Sequence, residues 1–510
     1  MKLASLLALT FAAASVAAGP PNILFIMSDD HAAHAISAYG SKVNQTPQLD
    51  RLAKSGTRFA NAFVTNSICT PSRATLLTGK YSHINGTPVF NTFDGSQQTV
   101  AKLMHSAGYH TGMIGKWHLG TDPTGFDRWI ILPGQGAYND PAFITPAGRV
   151  TVNGYVTDIT TDLGLEFLST RPKDKPFLLF LHQKAPHRNW TPSEKYREEF
   201  AKKTFPEPAT LFDKYDTRPG ALPANKQTVA NDLNNRDLKL ALDGKVPTEL
   251  EVKQPDGTVK KLTGDDLTRH KYQRYMQDYL ACVQSVDDGV GRVLDYLEKN
   301  GLAENTLVFY TADNGFFLGD MGLYDKRFMY EPSLRVPLLV SGPGVKAGAV
   351  ANAFALNTDF ASTFLDFAGL QIPADMQGRS LKPVLAGSAP ADWRTAMYYR
   401  YYHDPGDHNT RAHYGVRTAT HKLIYYWKQD AWELFDLTTD PNEQRNLAND
   451  PASAAKLGEL KLELARVKKE AKDDDQFSQE PPKGSVDAAK TPKPLGVKTV
   501  AEAISAAAAK

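Results

Sequence analysis

The 510-residue sequence holds only two cysteines, Cys69 and Cys282. So low a count excludes a scaffold built on disulfides. Cys282 lies in Tyr279-Leu280-Ala281-Cys282-Val283, within an amphipathic segment. It reads as a small core residue rather than half of a disulfide. Charge of one sign is also lacking. Lys and Arg number 58 against 56 Asp and Glu, a formal net charge of +2. No basic stripe is present, so nucleic acid is not an expected partner. The mild positive balance is compatible with an anionic substrate without arguing for one. Beyond the N-terminus no apolar run is long enough to span a membrane. No internal repeat occurs, and with no anchor a structural cell-surface role has nothing to support it.

The length suits one large domain with an ample core and a smaller second one. Met1-Lys2 leads a mostly apolar run from Leu3 to about Ala14, followed by the small residues Ser15, Ala17, Ala18 and Gly19. This predicts a secretory signal peptide over residues 1–18 and a secreted or periplasmic protein. Asn44-Gln45-Thr46, Asn85-Gly86-Thr87 and Asn189-Trp190-Thr191 are glycosylation sequons, a triplet too common by chance to identify the host.

Several short apolar runs read as buried parallel strands. Asn22 to Met27 delivers Ser28-Asp29-Asp30-His31 at its end, and Thr306 to Thr311 delivers Ala312-Asp313-Asn314-Gly315. Ligand sites in open α/β sheets lie beyond the C-terminal ends of strands. Taken alone, Asp29-Asp30 is either a helix cap with a solvated acid or half of a cation site. Two strands that each deliver a pair of oxygen ligands favour the second, with Ca²⁺ or Mg²⁺ as the hard cation. The strand Tyr109 to Ile114 is followed by Gly115-Lys116-Trp117-His118, and two residues spaced two apart on an extended segment point the same way. The strand Phe177 to Leu181 leads to His182-Gln183-Lys184-Ala185-Pro186-His187.

The chain is organised around Ser67-Ile68-Cys69-Thr70-Pro71-Ser72-Arg73-Ala74-Thr75-Leu76-Leu77-Thr78-Gly79-Lys80. A loop carrying Cys69 runs into a short helix, with Thr70 as the expected cap, Pro71 in its first position and Gly79 at its end. Such a cysteine is either a thiol made reactive by the helix dipole or a buried structural residue. The string Cys69-Thr70-Pro71-Ser72-Arg73, followed by Ala74 to Gly79, resembles the signature of the type I sulfatases over its whole length.

That resemblance implies that Cys69 is oxidised to Cα-formylglycine (3-oxoalanine) by a formylglycine-generating enzyme, and that the hydrated aldehyde is the nucleophile. It implies Arg73, Lys116, His118, His187 and Lys326 as catalytic groups. Asp29, Asp30, Asp313, Asn314 and position 69 would hold the metal, with Ca²⁺ expected and Mg²⁺ as the alternative. Arg73, Lys116 and Lys326 would offset sulfate charge, His187 would serve the leaving alcohol, and His118 would partner the formylglycine hydroxyl. His182 is left as a structural residue. Leu132-Pro133-Gly134-Gln135-Gly136, Phe328-Met329-Tyr330-Glu331 and His413 to Thr418 look like bacterial N-acetylglucosamine-6-sulfatase-type enzymes. Trp129, Gln135, His403 and His413 are candidate substrate contacts.

The fold class implied is α/β, with a large, mixed, mostly parallel, alkaline-phosphatase-like sheet flanked by helices. A small C-terminal α+β domain with an antiparallel sheet comes after it. The expected divisions are a catalytic domain over 19–388, with a charged rim insertion at 205–265, a small domain over 389–471 and a disordered tail over 472–510. The expected substrate is a sulfated carbohydrate such as 6-O-sulfated N-acetylglucosamine of a glycosaminoglycan or related glycan. The alternatives are an aryl or choline sulfatase, a phosphonate or phosphodiester hydrolase of the same superfamily, or a catalytically dead glycan-binding protein.

Overall fold

A computed structural model describes residues 19–218, 220–254, 256–486 and 492–508. The expected signal peptide lies outside them. The principal strands begin with β1 (Asn22–Ser28), β2 (Gly56–Phe59), β3 (His110–Lys116), β4 (Arg128–Leu132), β5 (Ala142–Thr145) and β6 (Gly148–Thr151). They continue with β7 (Phe177–Gln183), β8 (Thr306–Ala312), β9 (Leu338–Ser341), β10 (Ala349–Ala351), β11 (Ala396–Tyr401), β12 (His413–Thr418), β13 (His421–Tyr426), β14 (Ala431–Asp436) and β15 (Pro494–Val497). The principal helices are α1 (Cys69–Thr78), α2 (Val156–Thr170), α3 (Gly264–Lys299), α4 (Asp359–Phe367), α5 (Ala454–Glu470) and α6 (Val500–Ser505).

One eleven-stranded sheet runs in the order β10-β2-β9-β8-β1-β7-β3-β4-β5-β6-β15. Its middle, β8-β1-β7-β3-β4, is parallel. These strands are near-continuous apolar runs because helices cover both faces. On one face α2 and α3 pack over residues such as Leu24, Ile26, Leu179 and Tyr310. On the other, α1 and α4 pack over Ile23, Phe25, Phe180 and Phe309. The stripe of α3 through Tyr272, Tyr275, Tyr279, Val283, Val286, Val290 and Val293 is buried throughout, as its helical spacing requires. Parallel alignment puts the C-terminal ends of β1, β3, β7 and β8 at one edge.

The small antiparallel sheet β11-β12-β13-β14 has two faces of different use. Met397, Tyr399, Tyr401, Ile424, Tyr426 and Phe435 bury against the large domain. Tyr398, Val416, Leu423 and Leu434 pack on Leu460, Leu464 and Val467 of α5.

Two expectations need correction. The tail, expected to be disordered, carries β15, which pairs parallel with β6 and extends the main sheet. It also carries α6, whose Ala503 and Ile504 bury in the α2–α3 core. Its Lys-, Pro- and Ala-rich composition hid a short amphipathic segment. The segment over 205–265 is not only rim. Its hairpin Glu249–Lys253 and Val259–Thr263 is mostly exposed, but Leu211, Val229 and Leu233 are buried in the main core. Cys69 and Cys282 are both free. Among the described residues no helix is long and apolar enough to cross a membrane.

Candidate active site

Helix α1 is buried at every residue and begins at Cys69 itself. Ile68 takes the cap position in extended conformation and no side chain caps the helix. The expected cap, Thr70, instead donates its hydroxyl to the carbonyl of His118 at 2.9 Å. Gly79 ends the helix at φ 65°, its N–H bonded to Thr75 O, a left-handed position that suits glycine. Cys69 therefore stands in the first turn, where backbone N–H groups have no helical partner.

Around it stand the groups delivered by the strand ends. Asp29 and Asp30 follow β1, and Asp313 and Asn314 follow β8. All four are buried. Asp30 sits at φ 67°, and its N–H donates to Asp313 Oδ1 at 3.2 Å. Asn314 Nδ2 donates to Asp30 Oδ1 at 2.7 Å. Arg73 grips Asp313 Oδ2 with Nε at 3.0 Å and Nη2 at 2.8 Å, and its Nη2 lies 3.8 Å from Asp29. Lys116 forms an ion pair with Asp29 and a hydrogen bond with Gln135 Oε1. Lys326 pairs with Asp30. Ligand atoms of Asp29, Cys69 and Asp313 lie within 4.8 Å of one another, as do those of Asp29, Asp30 and His187.

Oδ1 of Asp29 and of Asn314 is buried with no hydrogen-bond partner among the described residues. Stripped acceptors of this kind cost free energy unless something binds them. The donor set, carboxylate and amide oxygen, suits a hard divalent cation. These residues therefore fit the implied metal.

The titrating groups are strongly perturbed. Burial raises Asp313, but the charges of Arg73, Lys116 and Lys326 outweigh it and hold the carboxyl below its usual value. Burial pushes Asp30 up to about 6 despite Lys326. Burial pushes the Cys69 thiol up to about 11, so the dipole-activated thiolate is disfavoured. His187 Nδ1 bonds Arg188 O at 2.6 Å, and Nε2 lies 3.8 Å from Asp30 Oδ2. Burial, followed by the charges of Lys116, Lys326 and Lys184, drives its pKa far down and keeps the imidazole neutral. His182 packs on Phe180 with Nδ1 3.2 Å from Lys116 O, a supporting position.

The expected substrate contacts divide. Gln135 reaches the site through Lys116. His403 lies at its border: its ring centroid is 5.9 Å from Phe90, which is 5.8 Å from His118. Trp129 is not brought there. It pairs with Met113 inside the sheet and is buried in the core, because β4 runs on to Leu132 before the loop begins. Nor is His413. Both its nitrogens are held by backbone, Nε2 accepting from Met329 N–H at 3.1 Å and Nδ1 donating to Arg411 O at 2.8 Å. Sequence reasoning missed Lys184. It is buried, and its ammonium sits 4.6 Å from the centre of the Tyr138 ring. A lysine in a strand-end loop carries no sequence signal for burial.

An acidic oxygen cluster ringed by two lysines and an arginine, at the C-terminal edge of a parallel sheet, is a site for hydrolysis of an anionic ester. The family model described as Sulfatase matches residues 21–370, and that of the N-sulphoglucosamine sulphohydrolase C-terminal region matches 319–470. The chain belongs to the sulfatase family. It is 45% identical over 492 residues to an N-acetylglucosamine-6-O-sulfatase of Bacteroides thetaiotaomicron, covering 90% of this chain and 88% of that one. It is 28% identical to the human N-acetylglucosamine-6-sulfatase, over 87% of this chain and 84% of that one. A solved structure, described as bound to its substrate D-glucosamine-2-N,6-O-disulfate, superposes with TM-score 0.85 at 44% identity, covering 90% of this chain and all of that one. A phosphonate monoester hydrolase of Agrobacterium radiobacter shares the fold at TM-score 0.69 and 22% identity, covering 88% of this chain and 96% of that one.

Proposed function

We propose that this sulfatase hydrolyses the 6-O-sulfate ester of an N-acetylglucosamine-type residue at the end of a sulfated glycan. The observation that carries the reading is the convergence of Arg73, Lys116 and Lys326 with Asp29, Asp30, Asp313 and Asn314 around Cys69. The relatives named for 6-O-sulfated glucosamine support the substrate.

Asp29, Asp30, Asp313 and Asn314 would hold the cation, Ca²⁺ in this reading. The cation and the formylglycine at position 69, installed by a formylglycine-generating enzyme, supply a polarised hydroxyl as nucleophile. The chain's own groups do the rest. Arg73, Lys116 and Lys326 present positive charge where the sulfate oxygens gain negative charge in the transition state. Burial keeps these charges unscreened. Arg73 is held by Asp313, so its guanidinium is positioned before substrate arrives. Gln135 orients Lys116. His187 keeps Nε2 turned to the cluster because Nδ1–H is committed to Arg188 O. The negative charge of a bound sulfate would offset the neighbouring lysines so that Nε2 takes up a proton, and that proton passes to the oxygen of the leaving alcohol. His118, whose carbonyl accepts from the Thr70 hydroxyl in the first turn of α1, would partner the formylglycine hydroxyl. His403 lies on the border where the sugar would enter.

The test is sulfate release from N-acetylglucosamine 6-sulfate, its 3-sulfate isomer, nitrophenyl sulfate and nitrophenyl phosphate. Turnover confined to, or strongly favouring, the 6-sulfate is expected. Turnover of the aryl esters with none of the sugars would reject the carbohydrate reading.

A further inference from the structure

Tyr279 lies on the apolar stripe of α3, a place that reads as core packing alone, and it is fully buried. Its hydroxyl has a second use. It donates to the carbonyl of Asp30 at 2.7 Å and accepts the N–H of Ala32 at 2.9 Å. No other hydrogen bond of that carbonyl or that N–H occurs among the described residues. One oxygen atom of α3 thus closes the turn that follows β1, 249 residues away in the chain. The ring is itself fixed. Its face stacks on Phe316 with centroids 5.5 Å apart and planes within 6°. Phe316 comes two residues after Asn314, so one tyrosine touches both loops that deliver the oxygen ligands.

The turn needs such a hold. Asp30 stands at φ 67°, a left-handed conformation that a residue with a side chain keeps only where its surroundings over-determine it. Its N–H is held by Asp313 Oδ1 at 3.2 Å, and its Oδ1 by Asn314 Nδ2 at 2.7 Å and by Lys326. Those partners belong to the charged cluster itself. Tyr279 is the uncharged partner, fixed from a helix packed on the sheet. A buried carbonyl and N–H left unpaired cost free energy, so loss of the hydroxyl would free the turn to seek other partners. The affinity of an oxygen site for a hard cation depends on how rigidly its ligands are held.

We propose that Tyr279 is a positioning residue for the cation site. Its hydroxyl sets the Asp30 turn before the ion arrives, so that the Asp30 carboxylate needs no rearrangement to bind it. The proposal rests on the reading that Asp30 is a cation ligand. Ca²⁺ affinity then depends on a phenol oxygen whose two hydrogen bonds are both spent on backbone.

Calorimetric titration of the chelator-treated full chain with Ca²⁺ tests this, with thermal unfolding recorded in parallel. The variants are Y279F and Y272F. Tyr272 lies on the same stripe, and its hydroxyl donates to the carbonyl of Pro206 at 2.7 Å, away from the turn. The Ca²⁺ dissociation constant should weaken about tenfold in Y279F, the value of one hydrogen bond, and stay unchanged in Y272F. Both variants should melt lower than the parent without Ca²⁺. A purely structural tyrosine would lower the melting temperature and leave the dissociation constant alone, and that result in Y279F would overturn the proposal. So would equal weakening in both variants, which would trace the effect to a loosened helix. A parent that binds no Ca²⁺ would instead remove the cation reading on which the proposal stands. Hydrogen exchange of the parent gives a reading that needs no variant. The Ala32 amide should be protected without Ca²⁺, since its acceptor is Tyr279. Rapid exchange there, slowed only by Ca²⁺, would show that the turn is not set in advance and would reject the proposal.

Discussion

Arg73 closes on Asp313 with two nitrogens and gives its remaining Nη1 to the carbonyl of Lys116 at 2.6 Å. One side chain thus ties α1 to the ends of β3 and β8, the three pieces that carry the site. A lysine cannot make this fork. R73K should fold and keep its charge yet lose roughly 100-fold or more in kcat/KM, the scale of one lost preorganised donor. Steady-state sulfate release with a matched melting curve checks it. Activity within a factor of about two would mean that charge alone suffices at this position.

Metal removal should be visible in stability as well as rate. Asp29, Asp30 and Asp313 crowd negative charge in a buried space. A chelator should lower the melting temperature and Ca²⁺ should restore it. The gain is about 2.7 kcal/mol when the ion is at 100 times its Kd. D29N removes a donor and a charge together. It should gain far less from Ca²⁺ in differential scanning calorimetry.

Glu433 gives a pH signature remote from the site. Burial pushes its carboxyl up to about 7, against the partial relief of a 2.6 Å hydrogen bond from the Tyr330 hydroxyl and the charge of Arg218. The folded state therefore binds a proton that the unfolded state has released. Its contribution is fully present below the unfolded carboxylate range and is lost as pH rises through about 7. The loss is on the order of 3 kcal/mol. E433Q should flatten this fall, so its melting temperature relative to the parent should rise between pH 5 and pH 8.

Deleting residues 492–510 should cost stability. It uncovers the β6 edge and removes Ile504 and Ala503 from the core. Burying one Ile side chain is worth about 1.5–3 kcal/mol. A drop of several degrees in melting temperature is expected, with activity at low temperature retained. An unchanged melting temperature would mean that the tail does not hold the sheet edge.

The chain's local chemistry made much of this legible. Short unbroken apolar runs bounded by turn residues read as interior parallel strands, and the loops after such strands gather at one edge. Asp29-Asp30 and Asp313-Asn314 are therefore linked by pattern alone, although 284 positions separate Asp30 from Asn314. The readings that failed depended on where an element stops. Trp129, a candidate contact, lies inside β4, which runs on to Leu132 before the turn-rich Pro133-Gly134. His413 looked like a contact because nothing in its neighbourhood reveals that two backbone groups occupy its nitrogens. The tail's β15 and α6 are too short for periodicity to outweigh composition, and tertiary packing decides such segments.

The most direct measurement is the mass of the tryptic peptide Phe59–Arg73 from an active preparation. The account predicts an aldehyde in place of the Cys69 thiol, with sulfate release rising in proportion to the converted fraction. An unmodified thiol in fully active protein would contradict it.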